Sequence, residues 1–533
     1  YGSGGNLLEL AQSTPWYLRV GIPALGGLVV GPIVYFLARE AKGHGVPEVM
    51  EAVALRSGLI RKRVVVVKCL ASAICIGTGG SVGREGPIVQ IGSAVGSAIG
   101  QLLKVSADRI RTLVGCGAAA GIAATFNAPI AGSMFALEIV LGDFGLATFS
   151  PIVISSVVAT AISRHFLGDS PAFIVPAYHL VSTWELPLYV ILGSLCALVA
   201  VMFTTTLYRL EDIFDSIKFP QYLKAAFGGL ILGGIALLFP HVLGVGYGAI
   251  DLALAQKLSW WFMFLLVFAK VLSTSITIGS GGSGGIFAPS LFLGAMAGGF
   301  FGTVANSVFP DITASAGAYS IVGMGAVVSG TTHGPLSAIL ILFEMTGDYK
   351  IILPLMIACI ISSLTSQQIL AESIYTLKLA RRGVNIRAGK EVNVLKSISV
   401  RDVMNPAVET VPENLSLRKL SEKVSKSKYK SFPVVDEKGN LTGILSYLDY
   451  HSTIFDENLK DLVVAKELST SKVVTVSLDD NLYDALERIT ADDYSLLPVV
   501  SPDNPSKLRG VLTRRDIIGS YDKAVLKKWV FNR

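Results

Sequence analysis

The chain has 533 residues, of which 51% are hydrophobic and only 16% are charged, and its formal net charge is +6. Soluble domains average about 25% charged residues, so much of this chain is expected to face lipid or a membrane-buried core. The basic residues stand in short clusters without a basic surface domain, which argues against nucleic-acid binding. The five cysteines lie in apolar runs without paired spacing, so neither a metal site nor a disulfide framework is indicated.

Apolar runs of helical length recur along the chain and predict a multi-pass membrane protein. The first predicted membrane helix is Trp16–Arg39, and further runs are Leu186–Leu207, Trp260–Leu272 and Ile351–Ile369. Several runs are shorter than the ~20 residues that span a bilayer, which predicts re-entrant or tilted helices covered by protein. The clusters Arg61-Lys62-Arg63 and Arg381-Arg382 mark cytoplasmic ends.

The run from Gly79 to Pro87 places two charged residues, Arg84 and Glu85, between apolar segments. A charge at the bilayer centre costs ~3 kcal/mol or more, so such residues are functional by default. Glycines let backbone N–H groups approach a ligand, and Pro87 is predicted to be the first position of a helix, whose N-terminus suits an anion. On this stretch alone, a water-exposed loop is the alternative.

A second copy of this pattern supports the functional interpretation. Gly279–Pro289 again has glycines and serines before a proline and an apolar helix, and the runs Gly115–Ala118 and Gly323–Ala326 each lead to a proline. Two halves that repeat after roughly 200 residues, each with a glycine-broken helix, are typical of transporters with a site where the broken helices meet.

In each half a glutamate follows a proline by nine residues, Pro129 to Glu138 and Pro335 to Glu344. Either could be a functional acid buried in the membrane. Because buried carboxylates are so often paired, capping or structural hydrogen bonding is the favoured role.

Three segments, Gly83-Arg84-Glu85-Gly86-Pro87, Gly285-Ile286-Phe287-Ala288-Pro289 and Gly43-His44-Gly45-Val46-Pro47, resemble the signature motifs of the CLC family of chloride channels and chloride/proton antiporters. The resemblance covers about residues 15–380. It implies a mostly α, polytopic membrane protein of two repeated, inverted halves with broken helices, assembled as a homodimer with one pore per subunit. Family members usually carry an earlier membrane helix, so we expect the sequence to begin inside the native protein.

The resemblance also implies a chloride site. A bare chloride ion loses much hydration energy on burial, and fixed dipoles must replace that water. The implied ligands are backbone N–H groups of the broken helices and two side chains: Gly83, Arg84, Gly86, Gly285, Ile286, Phe287 and Ala288, with His44 and the Tyr375 hydroxyl.

Glu85 is expected to gate this path. Its carboxylate is an anion on a tether that can occupy the same electropositive position as chloride. In the family this residue is the gate, and in antiporters also the proton carrier. A salt bridge to Arg84 is the alternative, although adjacent residues at a helix start seldom face each other.

Two positions depart from the family pattern. His44 stands where serine is usual, and we hypothesise that it lines the pore and gives pH sensitivity or an altered anion preference; capping of nearby backbone is the alternative. Ile139 stands where antiporters often have the internal proton-relay acid. Because isoleucine carries no proton, a channel-like or weakly proton-coupled mechanism is predicted, with chloride/proton antiport as the alternative.

From about Lys390 charges become frequent and short β-runs alternate with helical ones. Two units recur that resemble tandem CBS modules, α/β units that commonly sense adenine nucleotides. We expect a membrane domain at 1–380, a linker at 381–395 and a cytoplasmic CBS pair at 396–533, with units at about 396–455 and 463–525. The candidate nucleotide contacts are Ser446, Asp449, Thr513 and Asp516; a structural role at the dimer interface is at least equally favoured.

Other classes fit less well. No H-x-x-E-H or H-E-x-x-H run exists, so no catalytic or metal site and no required cofactor are expected. A CBS-bearing cation transporter would need carboxylate and carbonyl ligands, whereas this site offers N–H donors and hydroxyls. A purely regulatory receptor would carry no ion flux.

Overall fold

The computed structural model describes residues 7–169, 181–384, 395, 398–427, 429–451, 453, 459–491 and 494–521. The chain divides into two compact units, residues 1–384 and residues 385–533. Most of the expected linker at 381–395 and the Gly-rich start of the chain lie outside the described residues.

The first unit is helical. Its α-helices are α1 (Leu7–Ser13), α2 (Trp16–Pro32), α3 (Val46–Leu55), α4 (Arg63–Gly77), α5 (Glu85–Leu102), α6 (Ala107–Phe126), α7 (Pro129–Phe135), α8 (Leu146–Leu167), α9 (Leu186–Ser216), α10 (Gln221–Leu238), α11 (Tyr247–Leu254), α12 (Trp260–Gly279), α13 (Phe287–Val308), α14 (Ala316–Thr332), α15 (Pro335–Thr346), α16 (Ile352–Ile369) and α17 (Thr376–Arg381). Two π-helical segments continue α2 and α7, at Ile33–Leu37 and Ala136–Leu141.

Among the described residues, seven helices are long and apolar enough to cross a membrane. They are Trp16–Leu37, Leu146–Leu167, Thr183–Ser216, Gln221–Leu238, Trp260–Gly279, Phe287–Val308 and Tyr349–Ile369. Large apolar side chains such as Leu146, Phe166 and Trp184 are exposed on them, as expected of surfaces that face lipid rather than water. Pro129–Leu141 and Pro335–Thr346 are shorter apolar helices, which agrees with the prediction of short helices covered by protein.

The internal repeat is visible in the helix packing. α5 packs along α6, and α13 packs along α14. A Cβ on Gly92 would lie 2.2 Å from the Gly117 carbonyl oxygen, and one on Gly294 would lie 2.2 Å from that of Gly323. Glycine is therefore required at both helix contacts. The structure matches Gly117 with Gly323, so the sequence alignment of Gly115–Ala118 with Gly323–Ala326 is two residues out of register.

Two further expectations about element bounds are wrong in detail. α5 begins at Glu85 and α13 at Phe287, two residues before the prolines that were expected to open them. Proline is accepted throughout a first turn, because the N–H groups of that turn have no intrahelical acceptor.

The second unit contains two three-stranded sheets of the same topology. The strands are β1 (Val411–Pro412), β2 (Phe432–Val435) and β3 (Leu441–Leu445), then β4 (Val476–Ser477), β5 (Leu496–Ser501) and β6 (Asn504–Thr513). In each sheet the first strand pairs parallel with the second, and the second pairs antiparallel with the third. The helices are α18 (Leu417–Lys426), α19 (Tyr447–His451), α20 (Ala465–Leu468) and α21 (Leu482–Ala491), and residues 514–521 are helical.

The two sheet units exchange their leading segments. Val400, which opens the first unit in sequence, is buried in the core of the second, where its N–H donates to the Asp480 carbonyl at 2.8 Å. Ala465, which opens the second unit, is buried in the core of the first and donates to the Leu415 carbonyl at 2.9 Å. The units therefore fold as one interlocked pair.

Candidate functional site

The three glycine-rich motifs meet at one place in the first unit. The Gly83 N–H donates to the Gly285 carbonyl at 2.7 Å, and the Gly285 N–H donates back to the Gly83 carbonyl at 2.6 Å. The Gly43 N–H donates to the Gly282 carbonyl at 3.1 Å. A Cβ on Gly86 would lie 2.3 Å from the His44 carbonyl oxygen, so the backbones touch and leave no room for a side chain there.

Glu85 is fully buried at this junction, in the first turn of α5. Its Oε1 accepts a hydrogen bond from the Tyr247 hydroxyl at 2.9 Å, and its Oε2 accepts one from the Ala288 N–H, in the first turn of α13, at 3.4 Å. The carboxylate thus occupies the region where two helix N-termini converge, a place that favours an anion.

The expected set of backbone donors needs correction at two positions. The N–H groups of Gly83 and Gly285 are used in the bridge between the two loops, so neither is free to bind an ion. The donors that remain from the expected set are Gly86, Phe287 and Ala288, in the first turns of α5 and α13, and Arg84 and Ile286, which directly precede those helices. Glycine spacing alone cannot show this, because it does not reveal which loop backbone pairs with which.

Arg84 lies beside the site. Its guanidinium carbon sits 5.8 Å from the centre of the Tyr247 ring, and its Nη2 donates to the Thr125 carbonyl at 3.4 Å. The side chain is therefore directed toward the end of α6 and the ring of Tyr247.

His44 and Tyr375, predicted to contribute side chains, are brought together and are both buried. Their ring centres lie 5.7 Å apart. The Tyr208 hydroxyl donates to the Ile374 carbonyl at 2.6 Å and lies 3.4 Å from the His44 Nε2. Because the hydroxyl proton is already used, the weak contact with Nε2 requires Nε2 to be the donor. Nδ1 then carries the lone pair, and it has no hydrogen-bond partner among the described residues.

Two fully buried lysines were missed by the sequence reasoning. The Lys68 Nζ donates to the Ala41 and Gly43 carbonyls at 3.1 and 2.7 Å. The Lys270 Nζ donates to the Val242 and Gly244 carbonyls at 3.0 and 3.0 Å. Each lysine stands nine residues before the glycine that ends its helix, α4 or α12, and this matched position in two apolar runs was the available signal.

Glu138 and Glu344 are structural caps, as favoured from the sequence. Glu138 accepts from the N–H groups of Leu336 and Ser337 at 3.2 and 2.7 Å. Glu344 accepts from the N–H groups of Ile130 and Ala131 at 3.1 and 2.7 Å. These bonds satisfy donors that a helix leaves unpaired in its first turn.

Ile139, beside Glu138, is 7% exposed and packs on Gly334, where a Cβ would lie 2.9 Å from its Cδ1. It is an apolar packing residue between α7 and α15. The position therefore supplies no group that could carry a proton.

The comparisons with known proteins agree with this geometry. The family model of the voltage-gated chloride channels matches residues 26–367, and the CBS model matches residues 400–454 and 465–523. The chain belongs to the CLC family. It also carries the two CBS domains expected from the sequence.

Among the relatives of this CLC protein, some are named exchange transporters and others are named chloride channel proteins. It is 32% identical to the H(+)/Cl(-) exchange transporter ClcA of Yersinia pestis, over 75% of this chain and 83% of that protein. It is 31% identical to the chloride channel protein CLC-f of Arabidopsis thaliana, over 91% of this chain and 70% of that protein. The crystal structure of a slow cyanobacterial Cl−/H+ antiporter superposes with a TM-score of 0.65 at 28% identity, covering 70% of this chain and 90% of that one.

The candidate nucleotide residues of this CLC protein form two local caps. The Ser446 N–H and hydroxyl both donate to the Asp449 Oδ2 at 2.7 Å. The Thr513 N–H and hydroxyl donate to the Asp516 Oδ2 at 3.0 and 2.6 Å. Each Ser/Thr-x-x-Asp ending is thus a capping arrangement at the start of a helix, and one carboxylate oxygen of each aspartate is committed to it.

Proposed function

We propose that this protein transports chloride across a membrane along a path closed by the Glu85 carboxylate, and that it exchanges chloride for protons. The observation that carries the proposal is the position of that carboxylate, buried between the N-termini of α5 and α13 and bonded to the Ala288 N–H. A carboxylate held by backbone donors marks a site that accepts an anion.

The proposed mechanism follows from charge. While Glu85 is ionised, it occupies the donors that would bind chloride, and the path is closed. Protonation removes the negative charge and weakens the hold of those donors, so the side chain leaves and chloride takes its place. First-turn N–H groups bind the ion without a full positive charge, which lets it leave again.

The exchange mode is supported by the names of two similar proteins, the Yersinia exchange transporter and the cyanobacterial antiporter. The second candidate is a channel-like or weakly coupled mechanism, which Ile139 favours because it cannot relay a proton. Both candidates use Glu85 as the gate and differ in whether each opening carries a proton across.

The remaining assignments belong to the same proposal. The protein would sit in the lipid bilayer as a homodimer, with its CBS pair in the cytoplasm. His44 and Tyr375 would complete the chloride path with side-chain contacts. The candidate nucleotide contacts of the CBS pair are Ser446, Asp449, Thr513 and Asp516, and a structural role of the pair at the dimer interface is at least equally favoured.

A liposome flux assay tests the function. Purified protein is reconstituted, a chloride gradient is imposed, and external pH and chloride are recorded together. Proton movement against its own gradient, driven by chloride, is the expected result. Chloride flux without proton movement would support the channel-like candidate instead. Flux of cations with no chloride flux would overturn both.

The gate is tested by Glu85→Gln in the same assay. Glutamine keeps the shape but carries no charge and no titratable proton, so altered chloride flux and lost proton coupling are expected. Glu9→Gln, at an exposed position in α1, is the matched control. Unchanged flux in Glu85→Gln would remove Glu85 from its proposed role.

A further inference from the structure

The Tyr247 hydroxyl donates a hydrogen bond to the Glu85 carboxylate, at 2.9 Å from the hydroxyl oxygen to Oε1. The same carboxylate also accepts a longer hydrogen bond, at 3.4 Å, from the Ala288 N–H of α13. A hydrogen bond to an ionised acceptor is about twice as strong as a neutral one. Of these two hydrogen bonds, the one from the Tyr247 phenol is the shorter, and it directly stabilises the ionised carboxylate.

The backbone position of Tyr247 is fixed by the turn and the loop that precede it. It is the first residue of α11, and the helix is preceded by Gly246 at a φ of 90°. The loop just before it is held by the buried Lys270 ammonium, which binds the carbonyls of Val242 and Gly244. A Cβ on Gly246 would lie 2.7 Å from the Phe292 ring, so this turn cannot shift toward α13.

The internal repeat shows that the hydroxyl is a specific addition. In the first half, α3 is likewise preceded by a glycine, Gly45 at a φ of 85°, and its loop is likewise held by a buried lysine, Lys68. The first residue of α3 is Val46, which has no polar group. The glycine turn and the buried lysine thus occur in both halves, whereas the hydroxyl donor occurs only at the start of α11, in the second half, where it reaches Glu85.

We propose that Tyr247 is a positioning residue that latches the ionised Glu85 in the closed position and so sets the pH at which the path opens. The inference rests on the proposed function, in which protonation of Glu85 opens the path. The latch stabilises the ionised, closed form, so opening requires a higher proton concentration than it would without the hydroxyl.

The groups around Glu85 define what else could affect this pH dependence. Arg84, directly before Glu85, is the nearby cation. Tyr375, directly before α17, also interacts electrostatically with Glu85. α13 contributes the backbone N–H of Ala288, and the motif before α3 contributes the His44 backbone near Gly86. Deleting the Tyr247 hydroxyl leaves the contacts of Ala288, Tyr375 and His44 in place, and it also removes the side-chain hydrogen bond between Tyr247 and Arg84.

The test is Tyr247→Phe, with chloride flux measured in liposomes as a function of external pH. Loss of the hydrogen bond disfavours the ionised form, so Glu85 takes up its proton at a lower proton concentration. The external pH of half-maximal flux should rise by up to about one unit, which corresponds to a tenfold change in proton affinity. Tyr189→Phe is the matched control, because the Tyr189 hydroxyl also donates to a buried glutamate, Glu185, at 3.1 Å; its profile should stay that of the parent.

The same substitution in a Glu85→Gln background separates the latch from the gate. If Glu85→Gln abolishes the pH dependence and Tyr247→Phe adds no shift to it, the latch acts through Glu85. A parent-like pH profile for Tyr247→Phe, beside a Glu85→Gln variant that has lost its dependence, overturns the latch and leaves the gate intact. A shift that persists in the Glu85→Gln background overturns it as well. A Glu85→Gln variant with the parent profile overturns the proposed gate itself.

Discussion

Glu138 and Glu344 cap each other's helices: Glu138, which follows α7, accepts hydrogen bonds from the first turn of α15, and Glu344, on α15, accepts them from the first turn of α7. The two short helices therefore lie antiparallel and side by side, and charge-assisted hydrogen bonds join them at both ends. Neither helix is long enough to cross a bilayer. The reciprocal caps therefore fix the position of each helix by contacts within the protein.

The reciprocal caps predict a stability effect without a transport effect. Glu138→Gln and Glu344→Gln should each lower the unfolding free energy by about 1–2 kcal/mol, because a neutral amide is a weaker acceptor at a helix N-terminus. Thermal unfolding in detergent, followed by size-exclusion chromatography, measures this. Proton coupling per chloride in liposomes should match the parent. A Glu138→Gln variant with parent-like thermal stability and no proton flux would instead make Glu138 a relay acid.

The backbone contact at Gly86 predicts a severe packing defect. A Cβ there would meet the His44 carbonyl oxygen at 2.3 Å, and that oxygen belongs to a fixed loop. Gly86→Ala should therefore cost about 3 kcal/mol or more and abolish chloride flux. Gly234→Ala is the control, since a Cβ on Gly234, within α10, has nothing within 4 Å. Normal flux from Gly86→Ala would show that the loops separate more readily than the hydrogen bonds between them indicate.

The burial of His44 between Tyr208 and Tyr375 predicts an effect on anion preference. His44→Ser replaces a ring N–H donor by a smaller hydroxyl, so the space left beside Tyr375 should admit larger anions. The ratio of nitrate to chloride flux should rise several-fold. His165→Ser, at an exposed position on α8, should leave that ratio unchanged. Parent-like selectivity in His44→Ser would reduce His44 to a packing residue.

The positions of the main site residues could be predicted from the sequence because glycine and proline constrain backbone locally. Gly83, Gly285 and Gly43 indicated three close backbone approaches, and the structure brings them to one junction. The equal spacing of the two halves identified Glu138 and Glu344 as counterparts, and the frequent pairing of buried carboxylates favoured their capping role. These inferences needed only local chemistry and the repeat.

The missed residues depend on contacts that no local pattern contains. Whether the Tyr247 hydroxyl faces Glu85 is decided by the relative placement of α11 and α5, which are 162 residues apart in sequence. Lys68 and Lys270 look like misplaced charges until the loop carbonyls that surround them are known. The exchange of Val400 and Ala465 between the CBS cores is likewise set by tertiary packing.

The paired hydrogen bonds between Gly83 and Gly285 have a consequence for biosynthesis. The first half of the membrane unit is synthesised before the second. At that stage Gly83, Glu85 and Gly43 still lack their hydrogen-bond partners, which lie near residue 285. Until those partners are made, an ionised carboxylate and several unpaired peptide groups stand in a nascent chain at membrane depth, where they are costly. The first half alone is therefore a poor substrate for stable insertion, and a ribosome that stalls between the halves would leave a product marked for degradation rather than a half-formed pore.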